Sequence, residues 1–595
     1  MSAHCLVVAL GPVQDFIAQS RRMRDLWFGS HLLSEVSRAA AKAVAEGGGD
    51  LVFPALQRGD PELEPCMTQL RPKGSAPLNV ANKVVANLPE GVDPHAVAVA
   101  ARDAAARVVH EEGDRVLKEC AGLLAPNVRG VWDEQLNSLL EFYSAWAPIG
   151  TEGYAAALLQ AETAVAARKN LRDFRQWTKQ RGSVPKSSFD GLRETVLAPP
   201  EQRSSGLARR FRIGDGEQLD AVGMVKRCGG KPDQFVPLAN VAFVPWLDAA
   251  SRDCAGELSA LVSACGEANI GGVHRPDIAW TTAFPFDAQV VLEDRWAQVL
   301  DECGSSAVPT NWGEAYVSPL LRRLHAPSPY VACLVADGDN MGTTISGLKD
   351  EDSHRRFSLA LAQFAASARG VVEGQFKGLL VYSGGDDVLA FVSVDQAVAC
   401  AESLARTFAA GLAASGIDGG LPLPTLSVGL GIGHVLTPLG ELLALGRRAE
   451  RLAKNGADPA DVPRNALGVI VSKRSGGDTY WRRPWGGGVA ASAELNSAMA
   501  LLAGPLSERK VYEVRAVTRR LGGDVPPARS QEAARALAGD VRRTLLRNDT
   551  GVALDLGSIG LDLSGDNRGP AAIQRDVENW VGLMLVARMA ASTRR

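Results

Sequence analysis

Residues 330–472 alternate short apolar runs with amphipathic stretches in an order that few sheet topologies accommodate. Runs of four to eight apolar residues read as strands, and longer stretches with apolar positions three and four apart read as helices. The pattern predicts strand 330–336, helix 354–372, strand 378–382, a turn, strand 388–394, helix 395–413, strand 425–433, helix 438–454 and strand 466–472. This is βαββαβ with one further helix and strand, the split βαβ or ferredoxin-like order. In that order the first and third strands lie side by side at the centre of the sheet. Asp337, ending the first strand, and Asp386 and Asp387, entering the third, then share one edge although about fifty residues separate them.

The turn itself reads Tyr382-Ser383-Gly384-Gly385-Asp386-Asp387. Glycines permit a tight turn with positive φ and let a phosphate approach the backbone. Neighbouring carboxylates supply the hard oxygen ligands that Mg²⁺ or Mn²⁺ takes, and a magnesium site needs only one or two from the protein beside substrate phosphates. A Gly-Gly-Asp-Asp turn alone is ordinary solvated turn chemistry. Joined to the strand-ending Asp337-Gly338-Asp339 and to the βαββαβ order, it reads as a palm-type nucleotidyl-transfer site holding two ions. Asp337, Asp386 and Asp387 are the expected catalytic and metal-binding carboxylates, with the Gly338 carbonyl as a further ligand. Asp339 either joins them or shapes the turn. Ser383, Gly384, Gly385 and Asn340 are expected nucleotide contacts. Lys454, late in an amphipathic helix, reaches nucleotide phosphates or serves as a C-terminal cation favourable to the helix dipole. No G-x-x-x-x-G-K-[ST] loop and no His-Asp dipeptide is present, which sets aside a P-loop ATPase and an HD-type hydrolase module.

At 595 residues with 46% hydrophobic content the chain is too long for one core. An α+β multidomain fold is expected, in four parts. Residues 1–165 form a first palm-like domain, because Leu6–Phe16 repeats the strand-Gly-helix start of the second. Aligning Gly11 with Gly338 puts Leu10 opposite Asp337, so this copy reads as degenerate and non-catalytic. Residues 166–312 form a small, mostly helical middle domain, residues 313–480 the second palm, and residues 481–595 a C-terminal helical bundle. The Gly-rich tract 475–488 reads as a linker or lid. A net charge of −3 argues against a domain that grips nucleic acid unaided. Nine scattered cysteines without a C-x-x-C pair predict reduced thiols, a cytoplasmic protein and no zinc. No stretch is read as a membrane span or signal peptide.

Several segments together resemble one known family. Gly11-Pro12-Val13-Gln14-Asp15-Phe16-Ile17, Arg24-Asp25-Leu26-Trp27-Phe28-Gly29-Ser30 and Leu32-Leu33-Ser34 are similar to the opening signature of the large catalytic subunit of type III CRISPR effector complexes, in its Cmr (III-B) branch. Ala167–Phe174 and Leu219–Arg227 resemble its middle segments, and Asp337–Gly342 with Ser383–Asp387 its catalytic palm. The resemblance implies two palms that bind two ATP molecules, the second palm making cyclic oligoadenylate once the complex captures target RNA. It further implies that the messenger activates separate nucleases, that the C-terminal bundle meets the small helical subunit, and that the body docks on the subunit holding the guide RNA's 5′ end. The chain opens at the first palm, so the N-terminal HD nuclease of many relatives is expected to be missing. Lys179-Gln180-Arg181-Gly182 stands where some relatives carry zinc-binding cysteines. Two rivals stay open. A standalone cyclic dinucleotide synthase predicts Glu-Phe after the glycines and a sensor domain, where this chain has Asp386-Asp387-Val388. A scaffold with vestigial carboxylates predicts eroded ligands.

Overall fold

The computed structural model describes residues 2–64, 82–171, 184–230, 235–273, 275, 277–302, 309, 311–417, 423–456, 462–486, 488–522, 531–547, 561, 563 and 570–594. Its strands are β1 (His4–Gly11), β2 (Asp50–Phe53), β3 (Lys83–Leu88), β4 (Glu141–Pro148), β5 (Tyr330–Gly338), β6 (Leu379–Gly384), β7 (Asp387–Ser393), β8 (Leu426–His434), β9 (Ala466–Val471) and β10 (Thr479–Pro484). They form two sheets, ordered β2-β3-β1-β4 and β10-β9-β8-β5-β7-β6. Numbering each sheet's first four strands by sequence, both read 4-1-3-2, the expected ferredoxin-like arrangement. The middle elements, from Ser205–Arg210 to Ser318–Leu324, are helical, and four helices close the chain, Ala491–Ala503, Glu508–Gly522, Gln531–Leu546 and Pro570–Arg594.

The second sheet is built around a strand whose composition explains its packing. In β8 the glycines at 429, 431 and 433 alternate with Val428, Leu430 and Ile432, so one face is apolar and the other nearly flat. Helix Leu439–Asn455 lies on the flat face, so close that a Cβ at Gly429 or Gly431 would overlap the helix backbone. Leu430 and Ile432 join the opposite core with Phe357, Phe364 and Phe408. The sequence reading is corrected at two places. The tract expected as a linker contains β10, which pairs antiparallel with β9. Trp481 is buried there, and Gly582 of the last helix sits directly on the Tyr480 carbonyl. Helix Val394–Ala414 has a mean hydropathy of 1.2 and is long enough to cross a membrane, against the reading that no stretch is. Its apolar character is that of a core helix between the sheet and the C-terminal bundle.

The two palms are joined by reciprocal contacts. Helix Met23–Glu46 of the first packs on β6, the edge strand of the second sheet, and Glu351–Arg369 of the second packs on β2, the edge of the first. Each supplies one serine to the other's chain: Ser30 Oγ donates to the Val381 carbonyl (3.3 Å), and Ala55 N donates to Ser358 Oγ (3.0 Å). A pseudo-twofold relation follows. At the same junction Tyr154 Oη and His354 Nδ1 are 2.7 Å apart and buried. Burial, with a smaller contribution from Lys83, pulls His354 down to about 4, below its ordinary 6.5. The unfolded chain therefore takes up a proton first on acidification. Stability from His354 is full above pH 6.5 and falls by about 3 kcal/mol as pH drops to 4. Denaturant titrations at both ends of that window should show this loss, and His354→Gln should flatten most of it.

Candidate active site at the β5–β7 edge

Strand pairing brings the predicted carboxylates together. Ala336 pairs with Val388, so Asp337 stands beside Asp387 where β5 ends and β7 begins. Gly384 pairs with Asp387 across the hairpin, leaving Gly385 and Asp386 as a two-residue loop. Gly385 has φ +85°, the left-handed conformation such a loop demands of its first residue. Gly384 is needed for another reason, since a Cβ there would overlap the Tyr382 hydroxyl. A Cβ on Gly338 would lie 2.8 Å from that of Asp386, so its absence lets the loop close on the end of β5.

The electrostatics are those of crowded acids. Burial, then the Asp337 charge, raises Asp386 to about 6. Burial and a hydrogen bond with Asp337, together with the charges of Asp386 and Asp337, hold Asp387 well above the usual carboxylate range. Lys454 is ion-paired with Asp337 and lies 3.1 Å from Glu450. The donor set suits a hard divalent cation, whose charge would relieve this repulsion. Among the described residues no three His, Cys, Asp or Glu side chains form a metal-ligand cluster.

Asp339, left open between ligand and turn residue, is an anchor. It is buried and accepts hydrogen bonds from Thr425 Oγ1 (2.8 Å), Ser427 Oγ (2.9 Å) and Asn465 N (3.0 Å), while its own N–H donates to the Thr425 carbonyl. It ties the end of β5 to β8 and to the loop before β9. Asp339→Ala should cost about 3 kcal/mol, because two buried hydroxyls and an amide lose a charged acceptor; Asp339→Asn should recover part of this in urea unfolding. Asn340 is exposed in the left-handed region (φ +60°) and opens the short helix Met341–Gly347. Ser383 pairs with Val388, one residue beyond Asp387, so it lies on the other face of the hairpin. Its buried hydroxyl has no hydrogen-bond partner among the described residues. Lys454 is held in place by residues that the sequence reading passed over. Arg482 of β10 donates to the Leu452 and Ala453 carbonyls (3.0 Å each), capping the helix that carries it, and Trp485 Nε1 donates to the Leu426 carbonyl (2.8 Å).

The first palm has the same register with different chemistry. Gly11 pairs with Glu141, the first residue of β4, as Gly338 pairs with Leu426 of β8, and Ala9 pairs with Lys83 as Ala336 does with Val388. Leu10 and Asn82 therefore occupy the positions of Asp337 and Asp387, and Asn82 Nδ2 donates to the Leu10 carbonyl. The amino-terminal and middle signature segments meet behind this sheet. Arg227 forms ion pairs with Asp25 (2.6 Å) and Glu217 (2.8 Å), and Lys226 Nζ donates to the Phe16 and Gln19 carbonyls (2.5 Å each). Arg172, Asp173 and Phe174 and the segment expected in place of a zinc finger lie outside the described residues.

Comparison with known proteins follows this division. Residues 330–466 match the family model of the Cas10/Cmr2 second palm domain, and residues 5–121 match that of the N-terminal part of the CRISPR-associated protein Cmr2. The CRISPR system Cmr subunit Cmr2 of Pyrococcus furiosus is 32% identical over 190 residues, which span 27% of this chain and 20% of that protein. The aligned part is thus about a fifth of the curated relative. Among solved structures, type III-B Cmr-beta in its apo state superposes with a TM-score of 0.60 at 13% identity, covering 99% of this chain and 82% of that one. Cmr-beta bound to cognate target RNA superposes with 0.64 at 14%, covering 99% and 83%. At such identity the superpositions speak for the fold. Both domain models are matched in one chain over the segments that carry the two palms: residues 330–466 are a Cas10/Cmr2-type second palm domain and residues 5–121 a Cmr2-type N-terminal part.

Proposed function

We propose that the chain is the nucleotidyltransferase of an RNA-guided type III-B complex, making cyclic oligoadenylate from ATP once target RNA is captured. The observation that carries this reading is the meeting of Asp337, Asp386 and Asp387 at one strand edge, in a matched Cas10/Cmr2 second palm. Two Mg²⁺ or Mn²⁺ ions held by these carboxylates and the Gly338 carbonyl would activate a ribose 3′-hydroxyl and stabilise the departing pyrophosphate. The chain's own residues do the rest. Gly385 carries no Cβ to bar a phosphate from the hairpin backbone, while the space beside Gly384 is taken by the Tyr382 hydroxyl. Lys454, held at the edge by its capped helix and paired with Asp337, would be free to turn to the triphosphate if cations neutralised the carboxylates. The exposed turn at Asn340 contacts the nucleotide, whereas Ser383, buried on the far face of the hairpin, does not reach it as placed. The Arg482 and Trp485 anchors and the Asp339 network fix the edge so that these groups are positioned before substrate arrives.

The partners belong to the same proposal: guide RNA and target RNA held mainly by other subunits, the subunit on the guide's 5′ end, and the small helical subunit against the C-terminal bundle. A net charge of −3 supports that division of labour. Mass spectrometry of the products formed by the assembled complex with matching RNA, ATP and Mg²⁺ is the test. Linked adenylates with pyrophosphate are expected. A cyclic dinucleotide made without RNA would favour the standalone synthase, and no product from any nucleoside triphosphate would favour a scaffold.

A further inference from the structure

Far from the carboxylate edge, a cavity of about 570 Å³ opens where the first palm, the middle helices and the turn 435–439 meet. That turn follows β8, whose other end lies at the Gly338 edge nine residues away, a span of about 25 Å. Arg21, Arg22, Arg24, Arg209, Arg210 and Arg212 line it, with Asp287 as the carboxylate among the lining residues. Asp287 is already paired with Arg212 (2.7 Å), and Arg210 with Glu119 (2.9 Å). Arg21 and Arg209 are exposed with no ion pair among the described residues. The adjoining wall is apolar, running through Phe235, Val236, Pro237 and Leu238.

Arg24 distinguishes this cavity from a merely basic surface. It is 6% exposed and lines the cavity, yet its Nε and Nη2 have no hydrogen-bond partner among the described residues, and Nη1 has only a long 3.5 Å contact with the Arg210 carbonyl. A buried guanidinium without an acceptor is costly unless a ligand completes it. Its orientation is set by two rings, with the guanidinium carbon 4.8 Å from the Phe235 centroid and 5.6 Å from that of Phe211. A planar fork of donors beside mobile cations and an apolar wall matches a nucleotide phosphate, with the sugar and base against the wall.

The geometry points to a second, non-catalytic site that takes a nucleotide phosphate on Arg24, either within an RNA strand or in a free nucleotide. The site stands apart from the proposed transferase activity and is tested without it. The full chain, freed of divalent ions with EDTA, is titrated into a short fluorescein-labelled oligouridylate and followed by anisotropy. Binding that weakens linearly in log K against log salt is expected. Arg24→Gln should reduce affinity about tenfold or more, and Arg21→Glu with Arg209→Glu, both exposed and safe for folding, should do the same. Asp386→Ala should leave it unchanged. Displacement by ATP or pyrophosphate as readily as by unlabelled RNA identifies a free nucleotide as the ligand; displacement by RNA alone identifies a strand. Equal displacement by polyglutamate, unaltered binding in the arginine variants, or no binding of any phosphate probe overturns the assignment.

Discussion

Asp386→Ala combined with Asp387→Ala is expected to lower pyrophosphate release by the RNA-activated complex at least about 10³-fold and to make the isolated protein slightly more stable. The two effects have one cause. Burial and mutual repulsion disfavour the charged forms of both carboxylates, so the fold carries an electrostatic cost at this edge that Lys454 offsets in part and a bound cation would offset further. Removing both side chains leaves Asp337 paired with Lys454 and removes like charges, worth about 1 kcal/mol. Gain of stability with loss of activity is the signature of groups kept for chemistry. Pyrophosphate assays of the complex and thermal unfolding of the free chain read the two quantities separately. Synthesis retained by the double variant would move the site elsewhere. A broadened or lowered unfolding transition would mean that the carboxylates hold the hairpin together.

What the sequence revealed follows how local each signal is. β5, β7 and β8 are legible because each is an apolar run bounded by glycine, proline or charge, and the Asp337–Asp387 contact follows from strand order alone. The first palm is legible through one glycine alignment, and the register of Leu10 and Asn82 bears that alignment out. β10 was hidden because Thr479-Tyr480-Trp481-Arg482-Arg483-Pro484 lies among glycines and pairs at a sheet edge, so only Thr479 and Trp481 needed burial. Asp339 was ambiguous because its partners Thr425, Ser427 and Asn465 come from segments some ninety to a hundred and thirty residues on. No spacing rule links such positions. The same is true of Ser30 on β6 and Ser358 on the chain after β2, whose symmetry exists only once both sheets are formed. The C-terminal bundle is legible as helical because its apolar stripes repeat locally, and four helices stand there among the described residues.

Arg227→Met should destabilise the protein by about 3–5 kcal/mol, the largest loss expected of a residue outside the candidate site. Arg227 is fully buried and divides its donors between Asp25, itself fully buried, and Glu217. Burial alone would raise both acids, yet the Arg227 charge and hydrogen bonds outweigh it and hold both below the usual range. Methionine fills the volume and leaves Asp25 with only the backbone N–H groups of Arg21 and Arg22 and Glu217 without its guanidinium, at the join of helix Met23–Glu46 and the middle helix Ala221–Cys228. Packing loss would give a penalty independent of pH; an orphaned acid pair would not. In the wild type these acids titrate below their unfolded values, so their stabilisation is present at neutral pH and is lost as pH falls through the folded values. In the variant the folded values lie above the unfolded ones, so protonation on folding becomes favourable and stability is lost as pH rises through them. The difference between wild type and variant should therefore shrink steadily on acidification below neutral pH, read as converging urea midpoints. Hydrogen exchange should show opening first at the start of helix Met23–Glu46, with the β5–β7 edge still protected, since that edge draws its anchors from β8 and β10. A constant difference across the acid range would assign the loss to packing and leave the ion pairs without a net role in holding the first palm to the middle helices.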